Sequence, residues 1–296
     1  MRRRVALAVL LLAVLTSACA TDGGSGNSDD AANDRTQDAV TRRVAYDNDP
    51  LQFGDLTVPA GEGPFAVVVF IHGGFWRNGF GLDLAEPQAA DAADRGYATW
   101  NVEYRRVGDT GGAYPGTLLD IASAIDHLAV LADEHPLDLD RVAIVGHSAG
   151  GHLALWAGQR AQLPSGVPGA DPAVVPLMVV GQAPVADLAG NLDLGGGAVV
   201  GFMGTTPAAD PAAYDIADPA RLLPVVAPQL IVQGSDDTIV PPDRAEAYVA
   251  LAESSSEPGR VELESFAGAD HFDVIDPAHP SWQAVLAHLP PPQPPN

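Results

Sequence analysis

The sequence predicts an α/β chain, built round a mostly parallel central sheet with helices on both faces. Three observations carry this. Apolar, β-branched runs of strand length without alternation, above all Phe65 to Ile71 and Val142 to Val145, read as strands buried on both sides. Helical periods lie between such runs, as at Ile121, Ala124, Ile125 and Leu128, so strands and helices alternate along the chain. The length of 296 residues, 47% of them hydrophobic, is ample for one such core and too short for two large ones.

The first residues stand apart from that pattern. Met1-Arg2-Arg3-Arg4 is followed by an uncharged apolar run from Val5 to Leu15 and by small residues at Thr16 to Ala20, the layout of an export signal over residues 1–20. Cys19, the only cysteine, closes that run and resembles the acylated cysteine of a bacterial lipoprotein signal, although Thr16 stands where that pattern favours Leu, Val or Ile. Ala18-Cys19-Ala20 also reads as an ordinary signal-peptidase site. On either reading the chain is exported, on the outer face of a membrane through a lipid anchor or secreted. Residues 21–41 carry almost no apolar side chains, and such a segment cannot offset its ordering entropy, so a flexible acidic tether is expected before a domain over 42–296. With no other cysteine, that domain has no disulfide, no thiolate nucleophile and no Cys-ligated zinc. The formal charge of −23 opposes binding to nucleic acid or to an anionic membrane surface.

Within the domain, Val44 to Val58 reads as early strands, closed by the turn cluster Pro59 to Pro64. Phe65 to Ile71 follows as a buried strand, then a helix around Leu84 to Asp94, a strand over Gly96 to Val102 and a helix over Asp120 to Leu131. After the central strand at Val142 and its helix come strands at Val174 to Gly181 and Gln229 to Gln233, a helix from Arg244 to Leu251 and a last strand at Val261 to Phe266. The Gly/Ala/Pro-rich stretch from Asp187 to Pro224 is long for a connection and is a candidate lid or substrate-shaping insertion.

The chemistry gathers where strands end. Gly146-His147-Ser148-Ala149-Gly150 fits Gly-x-Ser-x-Gly directly between the central strand and a helix, a sharp turn that lifts the Ser148 hydroxyl above the sheet edge. A serine hydroxyl needs a base to take its proton, and a histidine base needs a carboxylate to fix its tautomer. Asp237, in the loop after the strand at Gln229, is the candidate carboxylate by its spacing to Val240-Pro241, with its neighbour Asp236 as rival. His271, in the loop after the last strand, is the candidate base, completing the chain order Ser, Asp, His. His127 and His135 fall on or beside a helix, His279 and His288 near the terminus, and His147 and His152 point away from the reacting atoms or into packing. An oxyanion needs fixed backbone donors: one from Ala149, the other from Gly74 or Phe75, which spacing does not separate. His72, Gly73, Trp76 and His147 are candidates for the substrate pocket.

Together, His72-Gly-Gly-Phe-Trp76, Gly146-His-Ser-Ala-Gly150, Gly234-Ser-Asp-Asp-Thr-Ile-Val-Pro241 and Asp270-His-Phe-Asp273 resemble the α/β-hydrolases over about Val44 to Pro290. Within them the chain is most similar to the esterase/lipase and kynurenine formamidase (arylformamidase) branch, and Tyr104-Arg105 ahead of Tyr114-Pro115-Gly116 and Asp120 resembles the hormone-sensitive lipase group. It departs from that group in having two glycines in the box rather than three, and Gln233 where a histidine is common. The resemblance implies a serine hydrolase that forms an acyl-serine on small carboxylic esters, with no metal or organic cofactor and a small-molecule ester or amide as its partner. Amide, formamide or peptide hydrolysis on the same three residues is the alternative chemistry. A surface-binding lipoprotein without catalysis is the alternative of another class, although a dead copy would have no physical reason to keep all three side chains.

Overall fold

The computed structural model describes residues 39–255, 257 and 260–292; the leader, Cys19 and the tether up to residue 38 lie outside them. Eight strands form one sheet: β1 (Val40–Ala45), β2 (Phe53–Val58), β3 (Phe65–Ile71), β4 (Ala98–Val102), β5 (Leu137–His147), β6 (Met178–Gln182), β7 (Gln229–Gly234) and β8 (Val261–Phe266). Their order across the sheet is β1-β2-β4-β3-β5-β6-β7-β8. β1 and β2 pair antiparallel with each other and β2 antiparallel with β4, while every pair from β4 through β8 is parallel. The chain therefore enters its sheet at Val40, opposite Val58, two residues before the expected start of the domain at residue 42. Hydropathy does not register β1 because its stabilising cross-strand pairs are polar: Thr41 with Thr57, and Arg43 with Asp55 at 2.8 Å.

Side chains alternate across each central strand, so one strand feeds two cores. Val67, Val69 and Ile71 of β3 face one side with Ile144 of β5, whereas Ala66, Val68 and Phe70 face the other with Ala143 and Val145. The first side is covered by α2 (Gly116–Asp126), α4 (Ala149–Ala157) and α7 (Pro242–Ser255), through Leu118, Ile121, Leu153 and Tyr248. The second is covered by α1 (Glu86–Asp94) and α8 (Pro280–His288), through Ala89, Ala92, Trp282 and Val285.

Local chemistry moves several expected boundaries. The helix read over Asp120 to Leu131 starts at Gly116 and breaks at His127 into α2 and a short α3 (Leu128–Leu131). The strand expected from Val174 begins at Met178, because Pro176 has no N–H for a ladder and the N–H groups of Ala173 and Val174 go to the Asp126 carboxylate. α8 was not anticipated; Pro280 opens it, and His279 Nδ1 accepts the Ser281 N–H. The stretch from Asp187 to Pro224 contains α5 (Ala198–Met203) and α6 (Pro211–Ala217). Leu188, Val199, Phe202 and Tyr214 sink from it into the larger core. The buried Asp218 carboxylate ties its start, accepting the N–H groups of Leu188 and Ala189, both at 2.9 Å.

Candidate functional site

β5 runs directly into α4 through a turn that only small residues allow. A side chain on Gly146 would meet the Gly150 carbonyl, and one on Gly150 would meet the Ile71 and His72 carbonyls. Ser148 occupies the corner at φ 54 and ψ −116, a left-handed conformation that costs a non-glycine residue about 1–3 kcal/mol. The corner is locked from both sides: the Ser148 N–H reaches the Gln182 carbonyl at 2.8 Å, and the Ser148 carbonyl accepts the Val185 N–H at 3.3 Å. The hydroxyl does not cap its own helix, which leaves it and the first N–H groups of α4, that of Ala149 included, uncommitted to one another.

Asp237 and His271 arrive from the ends of β7 and β8. His271 Nδ1 lies 2.7 Å from Asp237 Oδ2, with both residues 4% exposed. Asp237 Oδ1 accepts the N–H groups of Ile239 at 2.8 Å and Val240 at 2.9 Å, and Gln233 Nε2 donates to Oδ2 at 3.1 Å. Burial pushes the Asp237 carboxyl up, but the His271 bond and charge together with these backbone donors outweigh it, and its pKa lies below the ordinary value. Asp236 is exposed and takes the Ser235 hydroxyl instead.

The hydrogen bonds of the described residues include none between Ser148 Oγ and His271 Nε2; the two residues are joined through His147. Its Nε2 lies 2.9 Å from the His271 carbonyl, and the two rings pack with centroids 4.6 Å apart. Buried there beside His271, the His147 imidazole is held down to about 3 and is neutral. Phe272, 53% exposed, stands edge-on to the His271 ring at 5.4 Å.

The glycine box at the end of β3 lies against the elbow. A Cβ on Gly73 would come within 3.2 Å of Ser148 Cβ and 2.9 Å of the His147 carbonyl. Gly74, Phe75 and Trp76 follow in succession at φ 115, 56 and 54. Among the described residues the N–H groups of Gly74 and Phe75 find no acceptor. Sequence reasoning located this box but not its strain, since Phe75 and Trp76 have no intrinsic preference for a left-handed backbone.

His72 and Trp76, read from the sequence as pocket candidates, are placed in the packed interior. His72 is fully buried, stacked on Tyr104 with its Nε2 3.1 Å from Glu103. Trp76, 1% exposed, stacks on Phe202 and donates to His152 Nδ1 at 3.2 Å, and His152 in turn bonds the Ala217 carbonyl. Both aromatic side chains therefore brace the box, Trp76 against the 187–224 stretch, rather than face a ligand. Arg77 and Phe75 touch the same stretch at Gly195. Among the described residues no group of three His, Cys, Asp or Glu side chains is arranged to hold a metal.

Residues 55–251 match the BD-FAE family. Esterase LipC of Mycobacterium tuberculosis is 30% identical over 270 residues, which cover 84% of this chain and 64% of that protein. The chain thus spans less than two thirds of that relative. Among solved structures, a truncated carbohydrate esterase from gut microbiota superposes with a TM-score of 0.72 at 19% identity, over 86% of this chain and 96% of the other. Esterase B from Lactobacillus rhamnosis, inhibited by a tributyrin phosphonate, superposes at 0.70 with 21% identity, over 85% of each chain. With its strand order, its elbow and a family match over most of its length, the chain carries the α/β-hydrolase fold and belongs to the BD-FAE family.

Proposed function

We propose that the protein is a serine carboxylic-ester hydrolase acting on small esters. Ser148 Oγ attacks the ester carbonyl as His271 Nε2 takes its proton. The tetrahedral oxyanion rests on the N–H groups of Ala149 and of Gly74 or Phe75. Collapse expels the alcohol, which receives the proton from His271, and leaves an acyl-Ser148 that water hydrolyses by the same sequence. The observation that carries this reading is the 2.7 Å bond from Asp237 to His271 Nδ1, since it places the remaining lone pair of the imidazole on Nε2, at the atom a base must use. Catalytic hydrogen bonds such as that from Ser148 to His271 often tighten only in the Michaelis complex. Support from relatives is that the named ones are esterases, one of them inhibited by a tributyrin phosphonate.

The test is kinetic and chemical. Wild type should hydrolyse p-nitrophenyl acetate and take a fluorophosphonate label, and Ser148→Ala should lose the label and about 10⁴-fold or more in kcat. Turnover of N-formylkynurenine with negligible ester cleavage would instead assign formamide hydrolysis, and no label on the wild type would assign a binding role.

A further inference from the structure

Beside the elbow lies a cavity of about 10 Å³ lined by Gln88 of α1, His147 of β5 and Gln182 of β6, with His72, Gly73 and Ile275 among its other walls. All three polar side chains are more than nine-tenths buried, at 2%, 6% and 1% exposed. Each keeps one buried polar atom that no protein group satisfies: Gln88 Nε2, His147 Nδ1 and Gln182 Oε1. Such orphans are costly, at about 1–3 kcal/mol apiece, and three residues that carry one each in the walls of one small cavity call for a common partner.

The hydrogen-bond valences identify that partner. His147 Nε2 faces a carbonyl, which only accepts, so it carries the ring's single proton and Nδ1 is a bare acceptor. Gln182 Nε2 donates to the Val274 carbonyl at 2.6 Å, which leaves Oε1 as an acceptor. Gln88 offers a donor. One donor and two acceptors are the complement of one water molecule, which accepts once and donates twice, and the cavity is about the smallest that admits one.

We propose that this cavity binds a single structural water, and that the water, with Gln88 behind it, makes His147 and Gln182 positioning residues for the loop that carries His271. The loop has little regular structure, and His147 and Gln182 hold it at two carbonyls, those of His271 itself and of Val274. The water would fix the inner ends of both holding side chains, whose outer ends are already held by those carbonyls. Gln88 touches neither the loop nor the elbow by any hydrogen bond, so it acts only through the water. The positioning role rests on His271 being the base; the water site does not.

Two measurements test it. A high-resolution crystal structure of the wild type should show one density peak within hydrogen-bond distance of Gln88 Nε2, His147 Nδ1 and Gln182 Oε1; no peak there would overturn the site. Gln88→Met keeps the volume and removes the donor. With p-nitrophenyl acetate it should lower kcat about tenfold, as sub-ångström misplacement of a base does, with KM and melting temperature close to wild type. A kcat within twofold of wild type would overturn the positioning role. Full turnover by His271→Ala would sink the base assignment and the role with it, whereas the water site is judged on the density alone.

Discussion

Asp237→Asn is the most discriminating single substitution at this site. The carboxylate has two oxygens with different duties: Oδ1 accepts two backbone N–H groups, from Ile239 and Val240, and Oδ2 faces His271 Nδ1 at 2.7 Å and Gln233 Nε2 at 3.1 Å. An asparagine has one oxygen to give. Turned so that its amine faced the two backbone donors, it would leave both unsatisfied at about 1–3 kcal/mol each. The oxygen is therefore held at Ile239 and Val240, and the amine points at His271. Nδ1 must then accept, the imidazole proton moves to Nε2, and on the proposed mechanism His271 presents a proton where it should present a lone pair. Gln233 Nε2 then loses its bond to Oδ2 but keeps those to the Val240 carbonyl at 3.1 Å and the Gly234 carbonyl at 3.3 Å. The expected result is a loss of about 10⁴-fold in kcat, or roughly 5 kcal/mol of barrier, with the fold intact. Steady-state hydrolysis of p-nitrophenyl acetate measures the rate, and ¹⁵N shifts of His271 report the tautomer. An Asp237→Asn enzyme keeping more than about a tenth of wild-type kcat, a barrier change under about 1.4 kcal/mol, would refute the reasoning. So would an Asp236→Asn enzyme that proved the worse of the two, because Asp236 is exposed and bonded to Ser235.

Two further perturbations probe the surroundings. Gly74→Ala puts a Cβ at φ 115 and against Phe80, displacing the Phe75 N–H; kcat should fall about 10²-fold, the usual effect of one lost oxyanion donor, and unchanged kcat would remove Gly74 and Phe75 from that role. Burial pushes the Asp218 carboxyl up to about 6 despite the Ala189 and Leu188 N–H groups, so its folded value lies above its unfolded one. Its contribution to stability is then complete below the unfolded value and is lost as pH rises through about 6. Urea denaturation across that range should show the decline in wild type and not in Asp218→Asn; an identical slope in both would reassign it.

What could be read from residues alone divides along a physical line. The buried strands, the elbow and the loops after β7 and β8 were legible because each is local: apolar runs at Phe65 and Val142, glycines at 146 and 150, a carboxylate and a histidine just past a strand. Asp237 against Asp236 was a matter of spacing, and what separates them in space is the pair of N–H groups two and three residues on, which no side-chain pattern records. His72 and Trp76 misled because an aromatic residue beside a glycine box reads the same whether it faces a ligand or braces the box. The links from His147 to the His271 carbonyl and from Gln182 to the Val274 carbonyl span 124 and 92 residues. They depend on which strands become neighbours, and β5 lies between β3 and β6 only once the sheet is assembled.

Backbone strain follows the same geography. Of the non-glycine residues at positive φ, Phe75 and Trp76 follow β3, Ser148 follows β5 and Ala183 follows β6, the ends of three adjacent strands. At about 1–3 kcal/mol each, such strain is comparable with the whole stability of an ordinary domain, about 5–15 kcal/mol. It persists only where neighbouring structure over-determines the backbone. The ladder from β3 through β7, buried on both faces, supplies that constraint: Ser148 N–H is fixed to Gln182, and Ala183 N–H to Val232 at 2.8 Å. Substitutions that loosen β6 or its contact with α4 should therefore reach Ser148 before they unfold the sheet, because the strained corner has the least free energy to spare.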